Sequence, residues 1–189
     1  MIGWMPSFIG RALRGKRAGL EKTLYHDPSL KNVPDTLVLT SGDFNADTFM
    51  PARHSVDGGG VSPSLAWSNV PTGTASIAVI VEDADSPTPA PFVHLVAFGF
   101  AGQNGTLAAA ATSDGPAVGF QHGRNGMMAR GWTPPDPPPG HGAHRYVFQV
   151  YALDQVPAFA STPNRNTLAE AIRGHALAKG AIIGIYERP

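Results

Sequence analysis

The chain has 189 residues, with 14 Lys and Arg balanced by 14 Asp and Glu, seven His and no Cys. The lack of cysteine excludes a disulfide framework, a thiolate zinc centre, an iron–sulfur cluster and a cysteine nucleophile, and zero net charge argues against general affinity for nucleic acid, which rests on Lys and Arg neutralising phosphates. A hydrophobic fraction of 42% excludes a disordered chain, the length suits one domain with a substantial core, and 22 Gly with 18 Pro point to strands joined by turns rather than to a helical bundle.

The neutrality conceals an asymmetry. Residues 1–22 hold Arg11, Arg14, Lys16, Arg17 and Lys22 against Glu21, whereas the remainder holds nine basic and thirteen acidic residues. The pattern predicts a helix from Ser7 to about Ala18, with Phe8, Ile9, Ala12 and Leu13 on one face, docked on the domain or on a partner subunit. Residues 1–22 are therefore read as a basic N-terminal helical segment and residues 23–189 as a single domain. No charged region followed by an apolar stretch marks a secretory signal, and no apolar run reaches the roughly 18 residues of a membrane span, so the cytoplasm is the default compartment.

Residues 23–35 read as irregular, with turn signals at Asp27-Pro28 and Val33-Pro34. Short β-like runs follow at residues 36–40 and 65–70. The run at residues 75–82 is continuously apolar, as a central buried strand requires, and residues 92–98 form the next strand. Residues 103–120 are small and polar, the composition of a long loop. Residues 133–140 contain five prolines and exclude helix and central strand, because proline removes a backbone donor. Residues 145–153 alternate as a strand. Thr167-x-x-Glu170 matches a capping box, a helix is predicted to about Ala178 with Gly180 as its C-terminal cap, and residues 181–186 close the chain as a strand. The fold class is mainly β, with two packed sheets and peripheral helices at the two ends.

Chemistry-bearing residues cluster around these strands. Asp83 and Asp85 follow the central strand and point the same way if the chain stays extended. His94 lies in the next strand among apolar neighbours. His141 and His144 bracket the end of the proline-rich loop, with Tyr146 on the same face as His144. Each has a structural alternative. A lone His in an apolar strand is more often a hydrogen-bonded core residue, aspartates after a strand commonly cap turns, and proline-rich loops serve as spacers.

The order of motifs decides between these readings. Ser62-Pro63-x-Leu65-x-Trp67, Pro71-x-Gly73-x-x-Ser76, Asp83-Ala-Asp85-Ser-Pro87, His94, Pro137-Pro138-x-Gly140-x-x-His144-Arg145-Tyr146 and Tyr151-Ala-Leu-Asp154 resemble the phosphatidylethanolamine-binding protein family, in its bacterial and archaeal Raf-kinase-inhibitor-like branch. The resemblance implies a large central antiparallel sheet packed on a smaller one, with an anion pocket at one end. It implies ligand contacts by Asp83, Asp85, His94, Pro138, His144 and Tyr146, supported by Trp67 and by Arg145, whose planar guanidinium suits pairing with a carboxylate. Three features depart from the family pattern: Ala84-Asp85-Ser86, Gly131-Trp132-Thr133-Pro134-Pro135, and Leu95 after His94.

These expectations define a binder of a small phosphate-type anion or phospholipid head group, without cofactor, held by protonated His94 and His144. The resemblance also implies a homodimer and a regulatory role through a kinase or protease partner. The alternative is a hydrolase acting on a phosphorylated small molecule. The chain has no Gly-x-Ser-x-Gly nucleophile motif, so that reading is a metal- or His/Asp-dependent hydrolase, with Asp83, Asp85, His94 and His144 as residue types able to ligate zinc or manganese.

Overall fold

The computed structural model describes residues 6–112 and 117–188. Two helices, α1 (Ser7–Leu13) and α2 (Arg165–His175), flank two sheets. The smaller sheet has the order β1-β3-β6, built from β1 (Val38–Thr40), β3 (Leu65–Ser68) and β6 (Gly105–Leu107). The larger has the order β2-β9-β8-β4-β5-β7, built from β2 (Thr48–Phe49), β4 (Ser76–Asp83), β5 (Phe92–Ala101), β7 (Gln121–His122), β8 (His144–Leu153) and β9 (Ala176–Tyr186). Every strand pair is antiparallel except β2 with β9.

The apolar run of β4 is explained by layers on both sides of it, since all eight of its residues are buried. Ile77, Val79 and Val81 join Leu39, Leu65 and Trp67 in the core between the sheets. Ala78 and Ile80 join Leu168, Ala169 and Ile172 of α2 and the buried Leu24 and Leu30 in a second core on the opposite face. A sheet buried on both sides has no polar alternation to show, which is why this strand reads as continuous hydrophobicity.

Both helices differ from the sequence expectation. Helix α1 ends at Leu13 rather than near Ala18, because the Ala18 and Gly19 amides donate to the Ser86 and Ala84 carbonyls at 2.9 and 2.8 Å. Its predicted apolar stripe is only partly covered: Ile9 and Leu13 are half-buried, whereas Ala12 is exposed and Phe8 is 64% exposed. The helix instead seats Gly10, where a Cβ would lie 2.0 Å from the Pro139 carbonyl oxygen. Helix α2 starts earlier than the predicted capping box, with Asn164 as N-cap accepting from the Thr167 amide at 3.0 Å. It stops at His175, and β9 begins at the next residue, so Gly180 is a strand residue opposite Val150 and not a cap. Its lack of a side chain has a packing reason, as a Cβ there would meet the Leu37 carbonyl oxygen at 2.1 Å. The predicted loop at residues 103–120 contains β6; its residues 113–116 lie outside the described residues. No helix among the described residues is long and apolar enough to cross a membrane.

Candidate functional site

A break in strand register builds the site. Val81 opposes Leu95 but Glu82 opposes Val93, so His94 is an extra residue on β5. Such a bulge leaves one residue unpaired and re-aims its side chain. Beyond it, Asp83 at the end of β4 lies between Phe92 of β5 and Tyr146 of β8. The rings of His94 and Tyr146 meet edge to face, with centroids 5.1 Å apart.

A cavity of about 270 Å³ opens there. Asp83, His94 and His144 border it together with Pro134, Pro137 and Pro138 of the proline-rich loop. Phe92, Val56 and Met127 widen its apolar wall, and Ser86, Thr88, Thr133 and Asp136 add polar groups to the lining. The run of prolines explains why residues 133–140 are irregular: with few amide donors to satisfy, they can run as a wall rather than as a strand.

Asp83 is joined to the N-terminal segment by a chain of three hydrogen bonds. His144 Nδ1 lies 2.8 Å from Asp83 Oδ2, His144 Nε2 lies 2.7 Å from His141 Nδ1, and His141 Nε2 lies 2.9 Å from the Leu13 carbonyl oxygen. A carbonyl only accepts, so His141 Nε2 carries a proton. Three bonds need three protons, and two neutral imidazoles supply two. The trio Asp83, His144 and His141 thus holds one further proton and has no net charge while all three bonds are intact. Burial holds the His141 imidazole below its usual range, and the neighbouring His144 and Arg17 add to the depression. Both ring nitrogens of His144 are committed in this chain, which leaves neither to donate to a ligand. Replacing His141 with Leu is expected to strand His144 Nε2 and release the N-terminal anchor. The expected loss is about 1–3 kcal/mol in urea unfolding, with faster hydrogen exchange at the Ala18 and Gly19 amides.

His94 is different. Its Nδ1 donates to the Thr133 carbonyl at 2.6 Å, and its Nε2 is buried with no hydrogen-bond partner among the described residues. Burial holds this imidazole below its ordinary range, opposed by the Asp83 charge. The Tyr146 hydroxyl is likewise buried and has no partner there. Burial, with Asp83 adding, pushes its ionisation well above the ordinary value, so it stays a phenol and a donor.

The remaining predicted residues lie elsewhere. Asp85 turns away from the cavity and accepts from Arg145 Nε at 2.7 Å, Arg145 Nη2 at 2.8 Å and the Arg145 amide at 2.8 Å, with Arg17 Nη1 at 3.0 Å. Burial raises its pKa, but Arg145 and Arg17 outweigh this and bring it down to about 2. Arg145 therefore has the carboxylate partner its guanidinium suggested. Trp67 packs on Phe100 in the core between the sheets and donates from Nε1 to the Gln103 carbonyl, away from the cavity. Asp83, Asp85, His94 and His144 do not converge as metal ligands, because Asp85 faces its arginines, and no group of three His, Asp or Glu among the described residues is placed to hold an ion.

Sequence reasoning missed Met127, Phe92 and Asp136 as wall residues and Trp132 as their support. Trp132 stands 5.8 Å from the His94 ring and stacks on Phe148 at 6.2 Å. Asp136 is held by Arg188 at 2.5 Å, a partner from the far end of the chain. A tryptophan beside the proline-rich loop was the one local signal available.

Comparison with known proteins places this geometry in a family. The sequence model described as phosphatidylethanolamine-binding protein matches residues 40–187. A UPF0098 protein of Methanothermobacter thermautotrophicus is 34% identical over 150 residues, covering 77% of this chain and 95% of that protein. Among solved structures, a phosphatidylethanolamine-binding protein homologue from Chlamydia trachomatis superposes with a TM-score of 0.73 at 31% identity, over 82% of this chain and 99% of that one. Escherichia coli YbcL superposes with a TM-score of 0.75 at 28% identity, over 81% and 99%. The bulged strand, the Asp83–His144 pair and the proline wall thus sit in a recognised scaffold: the chain belongs to the phosphatidylethanolamine-binding protein family.

Proposed function

We propose that the cavity beside Asp83 binds a small molecule through a phosphate-type head group, and that the protein works by binding rather than by catalysis. The observation that carries this reading is His94 Nε2, a buried polar atom of a cavity-lining residue without a hydrogen-bond partner among the described residues, with the equally unpartnered Tyr146 hydroxyl on the ring packed against it. A buried polar group without a partner costs about 1–3 kcal/mol, which a ligand oxygen at this position would relieve. The family description, phosphatidylethanolamine-binding, supports a head group of this class. The apolar wall of Phe92, Val56 and Met127 suits the carbon part of such a ligand.

Among the described residues bordering the cavity, no hydroxyl is activated as a nucleophile. Ser86 Oγ borders the cavity but is bonded to Thr88 Oγ1 at 2.7 Å. The nitrogen of His144 that would activate a hydroxyl is occupied by His141.

The test is calorimetry with phosphoethanolamine between about pH 5.5 and 8.5. In the free protein, burial favours neutral His94, whereas an anion against Nε2 favours the imidazolium. Binding then takes up a proton, and affinity falls as pH rises, by up to about tenfold per pH unit. His94→Asn should abolish both the binding and the proton uptake. Equal affinity across the range would remove the imidazolium from the reading.

A further inference from the structure

A second cavity lies on the opposite face of β4. Alternation along the strand sends Asp83 to one side of the sheet and its neighbour Glu82 to the other. Glu82 opens onto a cleft of about 280 Å³ between the start of β5, residues 124–125 and the first turn of α2. Glu82 is itself buried and fully engaged. It accepts from the Leu24 amide at 2.7 Å, Gln149 Nε2 at 2.8 Å and Arg165 Nε at 2.9 Å.

Three cations border the same cleft: Arg165, Arg124 and Lys22. Arg165 is fixed through Nε, while its terminal nitrogens reach only the Asn166 side chain at 3.3 Å and the Lys22 carbonyl at 3.5 Å. Arg124 Nη1 reaches only the Met128 carbonyl at 3.4 Å, and Lys22 Nζ only the Pro89 carbonyl at 3.2 Å. Among the described residues, Arg124 and Lys22 have no carboxylate within ion-pair distance. The first turn of α2 contributes no acid. Three like charges thus converge on one cavity, and the single carboxylate there is already shared among three donors.

We propose that this cleft is a second anion site, which binds a phosphomonoester or inorganic phosphate independently of the cavity beside Asp83. The two charges in excess of Glu82 match a tetrahedral dianion. Arg165, held by Glu82, presents its planar end as a preorganised donor fork. Arg124 and Lys22 reach from two other segments to close over the anion. The small cleft suits a compact ligand rather than a polymer.

The experiment is a titration of inorganic phosphate, and separately of glycerol 3-phosphate, followed by calorimetry and by the Arg Nε–Hε signals in nitrogen-15 spectra. It uses the full chain, the Lys22→Ala/Arg124→Ala double variant, His94→Asn and the triple variant that combines them. Both replaced cations are exposed, so the double variant keeps its fold, which a thermal melt verifies. The expected result is binding in His94→Asn that is weakened about tenfold or more when Lys22→Ala and Arg124→Ala are added to it, with the Arg165 signal shifting on saturation. Tighter binding of the ester assigns the site to organic phosphates, and equal binding assigns it to the free ion. Equal binding in His94→Asn and in the triple variant, or a titration abolished by His94→Asn, overturns the second site. Binding in the double variant that is lost with His94→Asn leaves the reading of the first cavity intact, so the two proposals fail separately.

Discussion

Phe148→Ala is expected to lower the free energy of unfolding by about 3–5 kcal/mol, the usual cost of truncating a buried aromatic ring. Phe148 is buried at the centre of β8, with the Phe44 ring 5.2 Å away on one side and Trp132 stacked at 6.2 Å. The cavity left behind has no soft edge to collapse into, because β4 and β9 pair with β8 on both sides. The same variant should weaken head-group binding, since Trp132 rests on Phe148 and stands against His94. Phe148→Leu keeps most of the volume and should recover much of the stability, so it separates loss of packing from loss of pocket shape. Urea unfolding and calorimetry check the two effects. A stability loss under about 1 kcal/mol would mean that this layer is not closely packed.

Asp85→Asn is expected to cost about 2 kcal/mol at neutral pH, with the cost disappearing in acid. Although burial alone would raise the Asp85 pKa, Arg145 and Arg17 bring it down to about 2. The folded state therefore binds a proton less readily than the unfolded chain. The stabilisation is present above the ordinary carboxylate range near pH 4 and is lost as pH falls towards about 2. Asp27 and Asp43 are also depressed to about 2, so the parent protein loses stability in acid for several reasons. The informative quantity is the difference between parent and variant in urea unfolding, which should shrink steadily from about pH 5 down to about pH 2. A difference that does not vary with pH would assign the effect to packing rather than to charge. The variant should also loosen residues 14–19, because Asp85 pairs Arg17 of that segment with Arg145 of β8.

Much of the fold was legible before any coordinates. The unbroken apolar run around Ile77 to Val81 announced a strand buried on both faces, and the alternation from Tyr146 to Leu153 announced its neighbour. Three strands were missed, β2, β6 and β7, because two or three residues are too few to display a period. The helix ends were misjudged for a related reason. Thr167 and Glu170 look like a cap in isolation, but Asn164 captures the Thr167 amide first. Gly180 looks like a terminator, but it is a point of close approach to Leu37.

The candidate site was legible as a set of residues and not as an arrangement. Motif order named Asp83, His94, Pro138 and His144, all of which border one cavity. The same motif named Asp85, yet its carboxylate faces two arginines, one of them from the N-terminal segment. Sequence alone could not assign that partner, since Arg17 and Asp85 meet only after the chain has closed on itself.

By itself, the sequence determined what chemistry was available: no thiol, a charge balance split between the N-terminus and the rest, and Asp, His and Tyr as the polar groups near the family motifs. It also determined the central strands, because burial on both faces writes itself into residue type. The tertiary structure decided the rest. It placed the bulge at His94, which depends on register against β4. It joined Asp83 to Leu13 through two histidines, and it set Glu82 and Asp83, adjacent in the chain, beside separate cavities. Residue type follows from local burial, but the direction and partner of a side chain follow from neighbouring strands and loops that no local pattern encodes.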